Sequence, residues 1–172
     1  MTEKTATDWS LAALIERGGV YDNIPGSTPK EILAAVLDLL PAAADIGKEG
    51  LLKGILEREA LVSTGIGRGI ALPHPRNPLA ENGPETPPSA VPLVAVAYPV
   101  QPIEWNAPDG NKVHTVFLII SLSVKQHLNT LSKINFLCQQ ERFYSLIEAR
   151  FSKEVIVTAI RDAEASWARS SS

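Results

Sequence analysis

The stretch Ser63 to Pro78, STGIGRGIALPHPRNP, concentrates the residue types that chemistry uses. His74 stands between Pro73 and Pro75. Pro73 fixes its own φ and carries no N–H, and Pro75 biases His74 toward extended backbone. An imidazole is largely neutral near pH 7, so one ring nitrogen keeps a free lone pair. A histidine presented this stiffly suits a nucleophile that must not swing; a histidine of a surface turn would carry the same flanks. Just upstream, Gly65, Gly67 and Gly69 alternate with other residues. Glycine admits positive φ and close approach, and bare amides can form a small anion-binding nest. The same glycines also fit a tight turn before a strand. Their spacing is GxGxG rather than GxGxxG, and no Lys-Ser or Lys-Thr follows, so this is neither a dinucleotide fingerprint nor a P-loop. A fixed imidazole beside receptive amides fits phosphoryl transfer, which needs positioning and charge stabilisation more than covalent machinery.

The other reactive groups read more plainly. The three histidines are dispersed, with no HExxH and no paired cysteines, which argues against zinc. His114 falls at a strand end. Cys138 shares a helical face with Leu131, Ile134 and Leu137 and reads as core, without the loop setting that lowers a thiol pKa. No GxSxG elbow supports a serine hydrolase.

Elements must hold these residues in place. Ser10 to Arg17 is helical and stops at Gly18-Gly19. Thr28-Pro29-Lys30-Glu31 is a capping box with proline at the first helical position. It opens a helix that carries Ile32, Leu33, Val36, Leu37 and Leu40 on one face and ends at Pro41. Lys48 to Glu57 is a further helix around Leu51, Leu52, Ile55 and Leu56. Ile70 to Leu72 is short and extended. Leu93 to Tyr98 and Val113 to Leu122 are the clearest strands, apolar on both faces and therefore central in a covered sheet. Asn106 to Gly110 is turn chemistry that joins them as a hairpin. Asn77 to Pro92 is a proline-rich surface loop. From about Gln126 the pattern is helical to the end, with Ser152 an N-cap for the last helix. Helices, a few strands, then helices predict a mixed sheet covered by helices.

Bulk properties set the bounds. The 172 residues suit one domain; 45% are hydrophobic and 20% charged, enough to bury a core. A net charge of −3 gives no reason to expect nucleic acid or an anionic membrane as partner. The opening MTEKTATDWS holds no apolar signal region, and the apolar run Val116 to Ile120 is far too short to span a bilayer. One cysteine permits no internal disulfide and fits a reducing cytoplasm.

The segment LEREALVSTGIGRGIALPH, Leu56 to His74, resembles the active-site segment of the enzyme IIA domains of the fructose–mannitol–nitrogen class, from the bacterial phosphoenolpyruvate-dependent phosphotransferase system. The shared features are Arg-Glu before an apolar pair, Ser-Thr with glycines, then Ala-hydrophobic-Pro-His. The likeness runs weakly from Ser10 to about Trp167. It implies an α+β fold, an α/β/α sandwich whose central mixed sheet has helices on both faces, formed by residues 9–168 between flexible ends at 1–8 and 169–172. It implies that His74 is phosphorylated at Nε2, with the carrier HPr or its nitrogen-branch counterpart as donor and an enzyme IIB cysteine as acceptor. Arg58 matches the arginine of the Arg-Glu pair and would offset phosphoryl charge. His127, in a His-Leu step near a helix start, matches the second family histidine; it would bond the phosphoryl group or orient His74. Gly65, Gly67 and Gly69 would supply backbone amides to the phosphoryl oxygens. No cofactor or metal is implied. Pro75 departs from the family pattern, which more often has a small or variable residue there, and the loop Asn77 to Pro92 is longer and richer in proline than usual. The expectation is a cytoplasmic phosphohistidine carrier with a regulatory, nitrogen-type role, favoured by the lack of fused enzyme IIB or membrane domains in this sequence. The alternatives are a sugar-uptake enzyme IIA of fructose or mannitol type and a phosphotransfer-silent partner-binding domain.

Overall fold

The computed structural model describes residues 10–79 and 90–171. The chain forms α1 (Leu11–Gly18), β1 (Val20–Ile24), α2 (Pro29–Leu39), α3 (Pro41–Ile46), α4 (Lys48–Leu61), β2 (Gly65–Gly67), β3 (Ile70–Ala71), β4 (Leu93–Pro99), β5 (Thr115–Ile120), α5 (Val124–Cys138), α6 (Glu141–Glu148) and α7 (Lys153–Ser170). The five strands make one mixed sheet in the order β1-β4-β5-β3-β2. β4 and β5 are antiparallel, Leu93 opposite Ile120, whereas β1 joins β4 and β3 joins β5 in parallel.

The apolar run on both faces of β4 and β5 has the expected cause. Val94, Val96 and Tyr98 of β4, with Phe117 and Ile119 of β5, face a core completed by α1, α5, α6 and α7. Leu93, Ala95 and Ala97, with Val116, Leu118 and Ile120, face a second core built from α2, α3 and α4. Alternation along each strand sends successive side chains to opposite faces, so both cores need continuous apolar sequence. Ile32, Leu33, Val36 and Ile55 are fully buried in the second core; each such side chain stabilises the fold by roughly 1.5–3 kcal/mol. The helix-covered mixed sheet expected from the sequence is therefore the fold observed.

Several local expectations change in detail. Thr28 Oγ1 accepts from the Glu31 amide, as a cap should, but the Glu31 carboxylate reaches past Thr28 to the amide and hydroxyl of Ser27. Pro41 does follow the end of α2, yet it also starts α3, since proline suits a first helical position. α4 continues one turn beyond Glu57, which brings Arg58 and Glu59 into its last turn. The hairpin between β4 and β5 is long: Ile103 and Val113 form a bridge outside the strands, and the Gly110 amide closes the turn onto Ala107 O. The helical tail is three helices. The breaks fall at Gln139-Gln140 and around Arg150, whose φ of 57° is left-handed. Arg150 is anchored there through its side chain to Asp22 and Pro99 O. Ser152 precedes α7 without a side-chain capping bond. β1 was not expected from sequence; its Asp22 and Asn23 are exposed on a sheet edge. Of the loop Asn77 to Pro92, residues 80–89 lie outside the described residues, as do the expected flexible residues 1–8.

Candidate active site

His74 leaves the sheet just after β3. The Leu72 amide bonds Thr64 O at 3.0 Å, and Pro73 O accepts the Ile119 amide of β5 at 3.0 Å, so the backbone on the way to His74 is tied to two neighbours. The imidazole is 8% exposed. Its Nδ1 lies 2.7 Å from Leu72 O. A carbonyl only accepts, so Nδ1 carries the proton and Nε2 keeps the lone pair. The tautomer that exposes Nε2 is thus set by a backbone group two residues away.

His127 meets it from another element. Ser123 caps α5 by accepting the Gln126 amide on Oγ, and His127 follows in the first turns of that helix. The two ring centroids are 4.5 Å apart with planes tilted by 56°. Burial lowers the His74 pKa, and the Arg58 charge adds to this, while the Leu72 carbonyl and Glu59 oppose it. His127 is pushed down to about 4, first by burial, then by His74 and Arg58. Both rings are therefore neutral at pH 7, as a nucleophile and a neighbouring neutral donor require.

Arg58 lies in the last turn of α4, and its Nη1 donates to Val62 O at 2.8 Å. This bond folds the side chain along the helix end. Its charge acts on both rings. His74, His127 and Arg58, chosen from sequence alone, are thus brought into one electrostatic neighbourhood.

The three glycines have a visible packing role. A Cβ on Gly65 would come 2.8 Å from Ala107 Cβ, and one on Gly67 3.1 Å from Asp109 Oδ2; one on Gly69, whose φ is +77°, would collide with the His114 ring. The strip therefore closes against the long β4–β5 hairpin. The Gly65 amide donates to Ser63 Oγ at 3.1 Å, and the Arg68 amide to Asp109 at 2.8 Å.

His114 belongs elsewhere, at the opposite end of β3 from His74. Its Nδ1 pairs with Thr115 Oγ1 at 2.8 Å and its Nε2 with Arg68 O at 3.1 Å. Arg68 stacks 3.9 Å over the Tyr144 ring and binds Glu141 at 2.7 Å. Cys138 is fully buried, and burial pushes its thiol up to about 12. Among the described residues no cluster of three or more His, Cys, Asp or Glu could hold a metal ion. Sequence reasoning passed over Glu59, Thr64 and Trp105, which brace the turn before β2. Glu59 was quoted in the Arg-Glu pair, and Thr64 in Ser-Thr, but each acquires a partner only when the chain folds back.

Residues 14–163 match the family described as "Phosphoenolpyruvate-dependent sugar phosphotransferase system, EIIA 2". The chain is 28% identical over 163 residues to the nitrogen regulatory protein of Escherichia coli (strain K12), covering 92% of this chain and 93% of that protein. It is 24% identical over 153 residues to the fructose-specific EIIABC component of Bacillus subtilis (strain 168), covering 87% of this chain but only 23% of that longer protein. Among solved structures, nitrogen regulatory protein IIA-Ntr from Neisseria meningitidis superposes with a TM-score of 0.66 at 22% identity, over 83% of this chain and 93% of that one. The mannitol enzyme IIA of Escherichia coli, solved in complex with phosphorylated enzyme IIB, gives a TM-score of 0.62 at 12% identity, over 84% and 95%. With the match spanning nearly all the described sheet and helices, the chain belongs to the EIIA 2 family of the phosphoenolpyruvate-dependent sugar phosphotransferase system.

Proposed function

We propose that this chain carries a phosphoryl group on His74 Nε2, taken from HPr or a nitrogen-branch HPr, and that its phosphorylation state serves regulation. The observation that carries this reading is the 2.7 Å bond from Nδ1 to Leu72 O, which leaves Nε2 as the only nucleophilic nitrogen of a nearly buried ring. In the transfer, the Nε2–P bond forms while the donor's N–P bond breaks, and the donor ring keeps the electron pair. The proton stays on Nδ1, hydrogen-bonded to Leu72 O, so the acceptor ring becomes a phosphoimidazolium. Neutral His127 donates an N–H to a phosphoryl oxygen, and the Arg58 guanidinium offsets the added negative charge. Gly65, Gly67 and Gly69 seat the backbone that leads to His74. Direct donation by the Gly65 amide would require it to leave Ser63 Oγ.

The regulatory role rests on relatives such as the nitrogen regulatory protein of Escherichia coli, of which this chain covers 93%. Onward transfer to an enzyme IIB cysteine is the second reading, favoured by likeness to a fructose-specific component. In either case the chain works in the cytoplasm as one unit of residues 9–168. None of the described helices is long and apolar enough to cross a membrane. Exposed Leu61 and Val62 beside Arg58, and Val124 and Leu128 flanking His127, give a protein donor an apolar rim to dock on.

The test is incubation with phosphoenolpyruvate, enzyme I and HPr, followed by intact mass. One acid-labile, base-stable phosphoryl group is expected on the parent and none on His74→Ala. A phosphorylated His74→Ala would overturn the assignment. Adding an enzyme IIB separates the roles: an onward carrier loses its label to the cysteine, and a regulator retains it.

A further inference from the structure

Near the end of α4, Arg58 and Glu59 reach forward along the chain. Arg58 ties Val62, and Glu59 takes both donors of Thr64: the amide on Oε1 at 2.9 Å and the hydroxyl on Oε2 at 2.5 Å. Thr64 is 5% exposed, and its Oγ1 also accepts from the Trp105 indole at 3.3 Å. Ser63 locks the same turn by donating to Trp105 O at 2.6 Å. Thr64 O then holds the Leu72 amide, and Leu72 O holds His74 Nδ1. One series of hydrogen bonds therefore runs from Glu59 through Thr64 and Leu72 to the ring. With the Leu72 amide on Thr64 and Pro73 O on Ile119, the Leu72 carbonyl between them is fixed toward Nδ1.

We propose that Glu59 and Thr64 are positioning residues for phosphoryl transfer, which act through Leu72 to keep the His74 proton on Nδ1 and Nε2 open; this rests on the reading of His74 as the nucleophile. Neither residue touches the reacting atoms. Glu59 is also the acidic group that acts on the His74 ring, against Arg58 on the same helix. Its charge favours the phosphoimidazolium and opposes the repulsion from the cation of Arg58. A ring's tautomer is set by the bond its other nitrogen makes, so groups that fix the Leu72 carbonyl fix the tautomer.

The test uses the full chain with 15N-labelled histidine. The His74 ring nitrogens are read by NMR in the parent, Thr64→Val, Thr64→Ser and Glu59→Gln, and phosphoryl uptake from phosphorylated HPr is timed in each. The parent and Thr64→Ser should show a single Nδ1–H tautomer and equal rates. Thr64→Val and Glu59→Gln should show mixed tautomers and uptake slower by about 10- to 100-fold, the scale of a misplaced reacting group. A single parent-like tautomer in both variants, whatever their rates, would overturn the proposal. If Thr64→Val fails to fold, Glu59→Gln decides alone, because its partly exposed side chain leaves a neutral amide able to accept one of the two bonds. If the parent takes up no phosphoryl group, the functional reading falls, while the tautomers, measured without donor, still decide the positioning role.

Discussion

Acidification should destabilise this fold through the pair of rings at the candidate site. His127 is pushed down to about 4 from an ordinary 6.5, by burial first and then by His74 and Arg58. His74 is lowered as well, again mainly by burial. A ring whose folded pKa lies below its unfolded value binds protons more weakly when folded. Its stabilising contribution is complete above about pH 6.5 and is lost as the pH falls toward 4. For a fully shielded His127, the gap would convert to ~3.4 kcal/mol. The ring is half-buried, and solvent screening brings the expected loss to ~1–2 kcal/mol. The two sites titrate as a pair, and charge on His74 resists protonation of His127. Urea unfolding of the parent and of His127→Ala, between about pH 7.5 and 4.5, isolates the effect. Partly buried His114 and the lowered carboxylates of Glu31, Asp109 and Glu154 change stability in the same direction in both proteins and cancel in the difference. The parent should lose ~1–2 kcal/mol more than the variant over that range. Equal losses, or a His127 ring that titrates near 6.5 by NMR, would refute the reasoning.

Other consequences can be checked on the same material. Arg58→Ala should take up phosphoryl roughly ten- to a thousand-fold more slowly, as for loss of one electrostatic group, and unfold as the parent does in thermal melts. Gly18→Ala should be severely destabilising, by about 2 kcal/mol or more, because the added Cβ would collide with the Val94 carbonyl of β4; urea unfolding measures it. Pro75→Gly should still be phosphorylated but more slowly, since the nucleophile is intact and its backbone is freed. A parent rate in that variant would leave Pro75 as a turn former only.

The sequence made the central features legible where one physical rule dominates. Two apolar faces forced β4 and β5 to the middle of a covered sheet, and Thr28 marked a helix start through its hydroxyl. The candidate site was legible as a linear motif around His74, and Arg58 and His127 joined it as candidates from likeness to a family. What stayed hidden depends on folding. β1 carries exposed polar residues because it is an edge strand, so no alternation announces it. The break at Arg150 has neither glycine nor proline to mark it; tertiary bonds to Asp22 and Pro99 O accompany the left-handed backbone. The glycine strip read either as an anion-binding nest or as a tight turn before a strand, and the fold shows side chains of a distant hairpin packed against it. Glu59 and Thr64 lie five residues apart, and only the return of β3 past Thr64 links them to the histidine.

The most direct measurement is the attachment point of phosphorus. The protein, labelled with 15N in its histidine rings and phosphorylated by phosphoenolpyruvate, enzyme I and HPr, should show 31P–15N coupling to Nε2 of His74, with the proton retained on Nδ1. Coupling to Nδ1 of His74, or to either ring nitrogen of His127 or His114, would contradict the assignment of His74 Nε2 as the phosphoryl acceptor.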